Sequence, residues 1–213
     1  MNLPALKQDS RIAHFIGRLM DAEVRPAPFP HVYVTRAFPQ EYYFDLLQNL
    51  PDDSKYTDRQ FANRMIATVR GLSPFWNDCA HWMLDKHVIF NIMEVLGVKE
   101  RNIEAEVRLV RDSAGYKIAP HTDVKKKLVS LLFYLAHDAN HPEEGTTVMV
   151  PKQKGFTSDG SRRFPFEDFD NLYTAPFEPN TMLGFPRSDV SFHGVVGTNL
   201  PRRDVLLLNL YRP

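Results

Sequence analysis

The chain has 213 residues, 43% of them hydrophobic and 12% aromatic, enough to bury a substantial core in one domain and too apolar for disorder on a large scale. Lysine plus arginine equals aspartate plus glutamate at 26 each, so overall charge makes no case for nucleic acid or an anionic membrane as partner. Cys79 is the only cysteine, which excludes an internal disulfide. With no signal-peptide pattern in Met1 to Ser10 and no apolar run near the roughly 18 to 20 residues of a membrane span, the expectation is a cytoplasmic protein with no membrane partner.

In chain order, Ile12, Phe15, Ile16, Leu19 and Met20 follow the spacing of an amphipathic helix, with Ser10 as its cap. Arg25 to Pro30 reads as a turn into a short strand at His31 to Val34. A second helix follows over Pro39 to Leu50, with Tyr43, Phe44, Leu47 and Leu50 on its apolar side. Asp52 to Leu72, with Tyr56, Arg59, Arg64 and Arg70, reads as loop plus one or two short strands placed to cover a substrate. Ser73-Pro74 opens a long helix, Ser capping and Pro in the first turn, whose buried face carries Phe75, Cys79, Trp82, Ile89, Met93 and Leu96 as far as Gly97. His81 and His87 lie on that helix without metal-ligand spacing and read as polar-face or packing residues.

From Ile103 the hydrophobic period changes to two. Strands are predicted at Ile103 to Val110, Tyr116 to Pro120, Leu128 to Leu135, Thr146 to Val150, Thr181 to Phe185, Val190 to Val195 and Arg203 to Tyr211, a succession that implies a two-sheet sandwich or jelly-roll barrel. His137 and His141 fall in turn sequence and should face solvent. Lys152 to Pro176 reads as a long loop with Gly155 and Gly160 as hinge points, expected to order as a lid over the substrate.

Within this half stands His121-Thr122-Asp123. In extended backbone alternate side chains point the same way, so His121 and Asp123 can share one metal while Thr122 faces elsewhere. His193 completes a set of two histidines and one carboxylate. On one face of an octahedron that set leaves three positions open, the arrangement of non-haem Fe(II) oxygenases, whereas zinc prefers a closed tetrahedron or one open position.

With Tyr116 before the triplet, Tyr134 after it and Arg202 heading the last strand, the stretch from Asn102 to Arg212 resembles the 2-oxoglutarate/Fe(II)-dependent dioxygenases, in particular their prolyl-hydroxylase-like branch. The resemblance implies a single domain over residues 1–213, mainly β, a double-stranded β-helix over 101–213 backed by three helices within 1–100. It implies Fe(II) on His121, Asp123 and His193, 2-oxoglutarate as cosubstrate, O2, and ascorbate as an accessory reductant. Arg202 is assigned to the far carboxylate of 2-oxoglutarate, because a planar guanidinium gives two parallel charge-assisted hydrogen bonds. Arg203 would point to the opposite face and is the alternative; Asp204, where the family often has serine, counts against Arg202. Tyr134 is aligned with a tyrosine that donates to the same carboxylate, and Tyr116 is a candidate for the same pocket. Because Asp123 fills the position where halogenases of the family have a small residue, the implied reaction is oxygen transfer: 2-oxoglutarate goes to succinate and CO2 while an unactivated C–H is hydroxylated.

The substrate reads as a small polar metabolite, with a peptide or free proline as the alternative. From Arg108 to Lys127 six cations face two acids, which favours an anionic substrate. The remaining class is a non-enzymatic β-barrel binding protein with an inert metal site, and the intact ligand set plus Arg202 argues against it.

Overall fold

The computed structural model describes residues 9–213 apart from residues 57 and 62, with the backbone alone for residues 58–61. The elements run α1 (Ser10–Met20), β1 (Val24–Arg25), β2 (His31–Thr35), α2 (Gln40–Gln48), β3 (Asp58–Phe61), β4 (Arg64–Thr68), α3 (Pro74–Met83) and α4 (Lys86–Val95). They continue through β5 (Glu104–Asp112), β6 (Ile118–His121), β7 (Lys127–Tyr134), β8 (Thr147–Pro151), β9 (Phe169–Thr174), β10 (Thr181–Pro186), β11 (His193–Val195) and β12 (Arg203–Tyr211). The strands form an eight-stranded sheet in the order β1-β2-β10-β7-β12-β5-β4-β3 and a four-stranded sheet in the order β6-β11-β8-β9. All pairings are antiparallel. This is a jelly roll, the double-stranded β-helix expected, and its larger sheet is backed by helices.

Strand alternation divides the core in two. On β12, Leu206, Leu208 and Leu210 join Val129, Leu131 and Phe133 of β7 against the helices, while Val205 and Leu207 turn into the barrel with Leu132, Tyr134, Leu183 and Phe185. Because the large sheet is covered on one face by helices and on the other by the small sheet, its central strands are apolar on both faces. The helical layer is aromatic-rich: Phe38 stacks on Phe133 at 4.9 Å and packs edge-on to Trp82 at 5.9 Å, and the Trp82 indole N–H donates to the Tyr42 hydroxyl at 3.0 Å.

The helices differ from the sequence reading in three ways. Asp9 rather than Ser10 caps α1, its carboxylate accepting from the Arg11 N–H at 2.9 Å. The long third helix is two, so four helices back the sheet. Ser73 caps α3 as expected, accepting from the Trp76 N–H, but Asp85 adopts extended backbone and caps α4 by accepting from the His87 N–H at 2.7 Å. A short polar side chain that bonds a nearby backbone N–H interrupts a helix without glycine or proline. Third, α2 buries Tyr42, Tyr43 and Leu46, and Phe44 is 52% exposed. His81 and His87 lie on the surface, as do His137 and His141.

In the polar stretch before Ser73, β3 and β4 extend the large sheet beside β5; the Arg59 side chain lies outside the described residues. Among the described residues no helix is long and apolar enough to cross a membrane.

The face of α2 is testable by unfolding in urea. Leu46→Ala, which empties a fully buried position, should cost about 2–5 kcal/mol, whereas Phe44→Ala should stay within about 0.5 kcal/mol. The opposite ranking would restore the other face to the core.

Candidate active site

β6 and β11 pair so that His121 lies directly opposite His193, with ring centroids 4.4 Å apart. Asp123 follows two residues after the end of β6. One ligand atom from each of His121, Asp123 and His193 lies within 4.8 Å of the others, close enough to share one ion.

Both imidazoles are held the same way. The His121 Nδ1 lies 2.9 Å from the Ala119 carbonyl and the His193 Nδ1 3.0 Å from the Ser191 carbonyl. A carbonyl only accepts, so each Nδ1 carries the proton and each Nε2 keeps its lone pair. Burial, reinforced by neighbouring His193, pushes the His121 imidazole down to about 3, and burial likewise lowers His193. Neutral rings are the form that ligates a metal. Burial alone would raise the Asp123 carboxyl, but the Lys127 ammonium and the two histidines hold it below the usual carboxylate range. Its two oxygens accept from Lys127 Nζ at 2.9 Å and Ser130 Oγ at 2.7 Å.

An inner cavity of about 110 Å3 extends from these three residues into the barrel, lined by Ser130, Leu132, Thr146, Arg203, Val205, Leu207 and Asn209 among others. Arg203 belongs to its wall and Arg202 does not. Arg203, Val205, Leu207 and Asn209 alternate inward along β12, so Arg202 and Asp204 fall on the other side. There Arg202 pairs with Asp204 and borders a surface hollow with His137 and His141, while Asp204 also takes Arg111 at 2.8 Å. Geometry thus puts Arg203 and not Arg202 in the cavity wall, and Asp204, the residue that counted against Arg202, is turned away from the cavity.

Arg203 is 1% exposed. Its Nε donates to the Glu144 carbonyl at 2.6 Å and its Nη1 to Asp112 at 2.7 Å, and Arg64 grips the same Asp112 carboxylate through two bonds of 2.6 and 2.8 Å. One buried carboxylate thus lies between two guanidinium groups. Arg203 Nη2 and Thr146 Oγ1 are buried without a hydrogen-bond partner among the described residues, and both residues line the cavity. Two orphaned donors beside a surplus guanidinium suit a carboxylate entering from the metal side.

Tyr134 and Tyr116 stand behind this wall rather than in it. The Tyr134 hydroxyl accepts from the Thr146 N–H at 3.0 Å, and its ring lies 5.7 Å from the Arg203 guanidinium. Tyr116 lies under Arg64 at 4.1 Å, its hydroxyl buried without a partner among the described residues. The sequence reading missed Arg64, Asp112, Thr146 and Ser130. Ser130 carried a signal, being a polar residue within the apolar run of β7; Asp112, in a strand rich in charged residues, Arg64 and Thr146 carried none.

Outside the metal residues the cavity widens into a cleft of about 570 Å3, bounded by Arg64, Glu106, Arg108, Lys127, Asn209, Tyr211 and, on one side, Gly160–Arg163. The segment Lys152–Pro176, expected as a long lid, instead contains strand β9, and its phenylalanines 156, 164 and 166 pack with Met149, Phe169 and Phe192. Gly160 is no hinge. It has φ +82°, and a Cβ there would come 2.0 Å from the Asp123 carbonyl oxygen, so glycine is required by close approach to the metal loop. Ser158 anchors the same region, its carbonyl accepting from Thr122 Oγ1 at 3.1 Å and Arg187 Nη2 at 3.3 Å. Of the predicted basic edge, Lys125 and Lys126 are exposed and Lys127 turns inward to Asp123.

No protein-family model matches the chain. No curated protein matches it either. Solved structures do. A prolyl-4-hydroxylase from Pseudomonas putida superposes with a TM-score of 0.60 at 14% identity, over 95% of this chain and 99% of that one. HygX from Streptomyces hygroscopicus, solved with nickel, 2-oxoglutarate and hygromycin B, gives 0.54 at 13% identity over 85% and 82%. A prolyl hydroxylase from Trichoplax adhaerens in complex with a hypoxia-inducible-factor peptide gives 0.55 at 12% identity over 94% and 88%. The chain has the fold of the 2-oxoglutarate/Fe(II) oxygenases.

The Asp112 junction makes a stability prediction independent of any ligand. Asp112→Ala strands two guanidiniums in the interior and should cost about 3–5 kcal/mol. Asp53→Ala, which removes a 71% exposed partner of Arg111, should cost no more than about 1 kcal/mol. Equal effects in chemical denaturation would mean that the junction carries no special weight.

Proposed function

We propose that this chain is a 2-oxoglutarate- and Fe(II)-dependent oxygenase, one catalytic domain that hydroxylates an unactivated C–H of a small polar molecule. The observation that carries the reading is the placement of Arg203, with an unspent donor, at the closed end of a cavity whose open end is ringed by His121, Asp123 and His193. The donor set is that of a facial iron site with three open positions.

In this reading His121, Asp123 and His193 would hold Fe(II), and Arg203 Nη2 with the Thr146 hydroxyl would take the far carboxylate of 2-oxoglutarate. Bound together with O2, these groups supply the oxidant for the C–H bond while 2-oxoglutarate goes to succinate and CO2. The protein's own contribution is positioning and exclusion. The carbonyls of Ala119 and Ser191 fix the imidazole tautomers, and Lys127 and Ser130 orient the Asp123 carboxylate. Leu132, Val205 and Leu207 keep the middle of the cavity apolar, which strengthens the charge pairing at its end. Arg202 has no part in this, and Tyr134 and Tyr116 brace the arginines from behind.

The outer cleft favours a small molecule over a peptide, because its volume falls in the range of small-ligand sites and the clamped Gly160–Arg163 turn walls one side. Two of the fold neighbours are prolyl hydroxylases, so a proline-containing peptide is the competing substrate to assay alongside.

His193→Ala should abolish tight binding of Co(II), a spectroscopic substitute for Fe(II), and succinate formation from 2-oxoglutarate, while leaving the thermal unfolding of the metal-free chain cooperative. Near-normal iron-dependent turnover in that variant would remove His193 from the site. Arg203→Lys should raise the KM for 2-oxoglutarate by roughly 10- to 150-fold, as for loss of a charge-assisted pair of about 1.5–3 kcal/mol, and Arg202→Lys should leave it nearly unchanged. The reverse ranking would return the anchoring role to Arg202.

A further inference from the structure

The outer cleft is charged unevenly. Its wall holds five cations, Arg64, Arg108, Lys127, Arg162 and Arg163, against two acids, Glu106 and Asp123. Both acids are already engaged. Glu106 takes Arg108 at 2.8 Å, the Tyr211 hydroxyl at 2.5 Å and the Asn209 amide at 3.4 Å; Asp123 takes Lys127 and Ser130 and serves the metal. Arg64 is committed to Asp112. Among the described residues the Arg162 guanidinium, at the tip of the turn, has one contact, the ring of Phe164 at 4.9 Å.

That contact gives Arg162 a fixed platform. Phe164 is 8% exposed and packs edge-on against Phe156 and Phe192, and its N–H donates to the Pro120 carbonyl at 2.9 Å, one residue before His121. On the other side Gly160 abuts the Asp123 carbonyl. The turn therefore meets the chain at Pro120 on one side and at Asp123 on the other, which sets its backbone beside His121 and Asp123. A guanidinium stacked on an aromatic face, with its donor edge unspent and facing a cleft, is suited to a planar or tetrahedral oxyanion.

Resting on the functional reading above and deepening it, we propose that the substrate is an anion and that Arg162 binds its carboxylate or phosphate group, with Arg163 adding to the local field. The group docks at the rim and holds the C–H to be oxidised toward the metal.

The test is a titration with inorganic phosphate and, separately, acetate, on the chain first saturated with Zn(II) and 2-oxoglutarate so that the inner cavity is filled. Side-chain Nε–H signals of arginine are followed by NMR, with Arg162→Gln assigning its own signal and Arg108 reporting from across the cleft. The saturation step by itself tests the functional reading. If the inner groups do not bind, the titration is run on the unloaded chain. Expected is a saturable shift of the Arg162 signal with at least one of the two anions, the stronger of which identifies the group, and an affinity about five-fold weaker in Arg162→Gln. No saturable shift with either anion, or an equal affinity in Arg162→Gln read at Arg108, would overturn the proposal.

Discussion

The alternation of side chains along β12 constrains everything else in this protein. The strand runs through the middle of the large sheet, hydrogen-bonded to β5 on one edge and β7 on the other, so its register cannot slip without exchanging its two faces. One face, Leu206, Leu208 and Leu210, holds the helices on. The other delivers Arg203, Val205, Leu207 and Asn209 to the cavity in a row, charged at the deep end and polar at the mouth. Core packing on one side of the sheet thus fixes the chemistry presented on the other.

Arg203 is tolerable at the deep end because Asp112 stands directly opposite it in register and shares its carboxylate with Arg64 from the next strand. Three adjacent strands contribute to one buried cluster with more positive than negative groups. Left alone such a cluster is expensive in a low-dielectric interior. It becomes favourable when a further carboxylate arrives, so the scaffold's least comfortable point coincides with the place where a dicarboxylate cosubstrate would end. The opposing histidines come together by the same sheet geometry: pairing β6 with β11 brings residues 72 positions apart in the chain close enough to share one ion.

Much of this was legible in the sequence. The change of period at Ile103 exposed the barrel, and His121, Asp123 and His193 could be picked out because His-x-Asp needs extended backbone to converge. What the sequence concealed has physical causes. β12 is apolar in both phases, so counting hydrophobic residues could not say whether Arg202 or Arg203 faces inward; Asn209, the one polar residue inside the run, shares its phase with Arg203 and was the available clue. The break at Asp85 was hidden because a carboxylate cap ends one helix and begins the next without glycine or proline. Phe44 and Tyr42, two residues apart, lie on nearly opposite faces of α2, and packing of Tyr42 against Trp82 and Phe38 selects between them. Strand β9 reads as loop in the sequence because Phe169 to Thr174 pairs at the edge of the small sheet, where half its side chains remain in solvent.

The clamped turn divides the rim of the cleft into two kinds of position. Residue 158 is held through its carbonyl by the side chains of Thr122 and Arg187, and residue 160 lies against the Asp123 backbone for lack of a side chain, so a change at either bears on the loop carrying Asp123. Residues 161 to 163 follow on that footing, exposed at the wall of the cleft. If the cleft holds the substrate, three consecutive codons could alter its rim while His121, Asp123 and His193 stay in place, which would make this short turn a natural point of divergence among proteins that share the barrel.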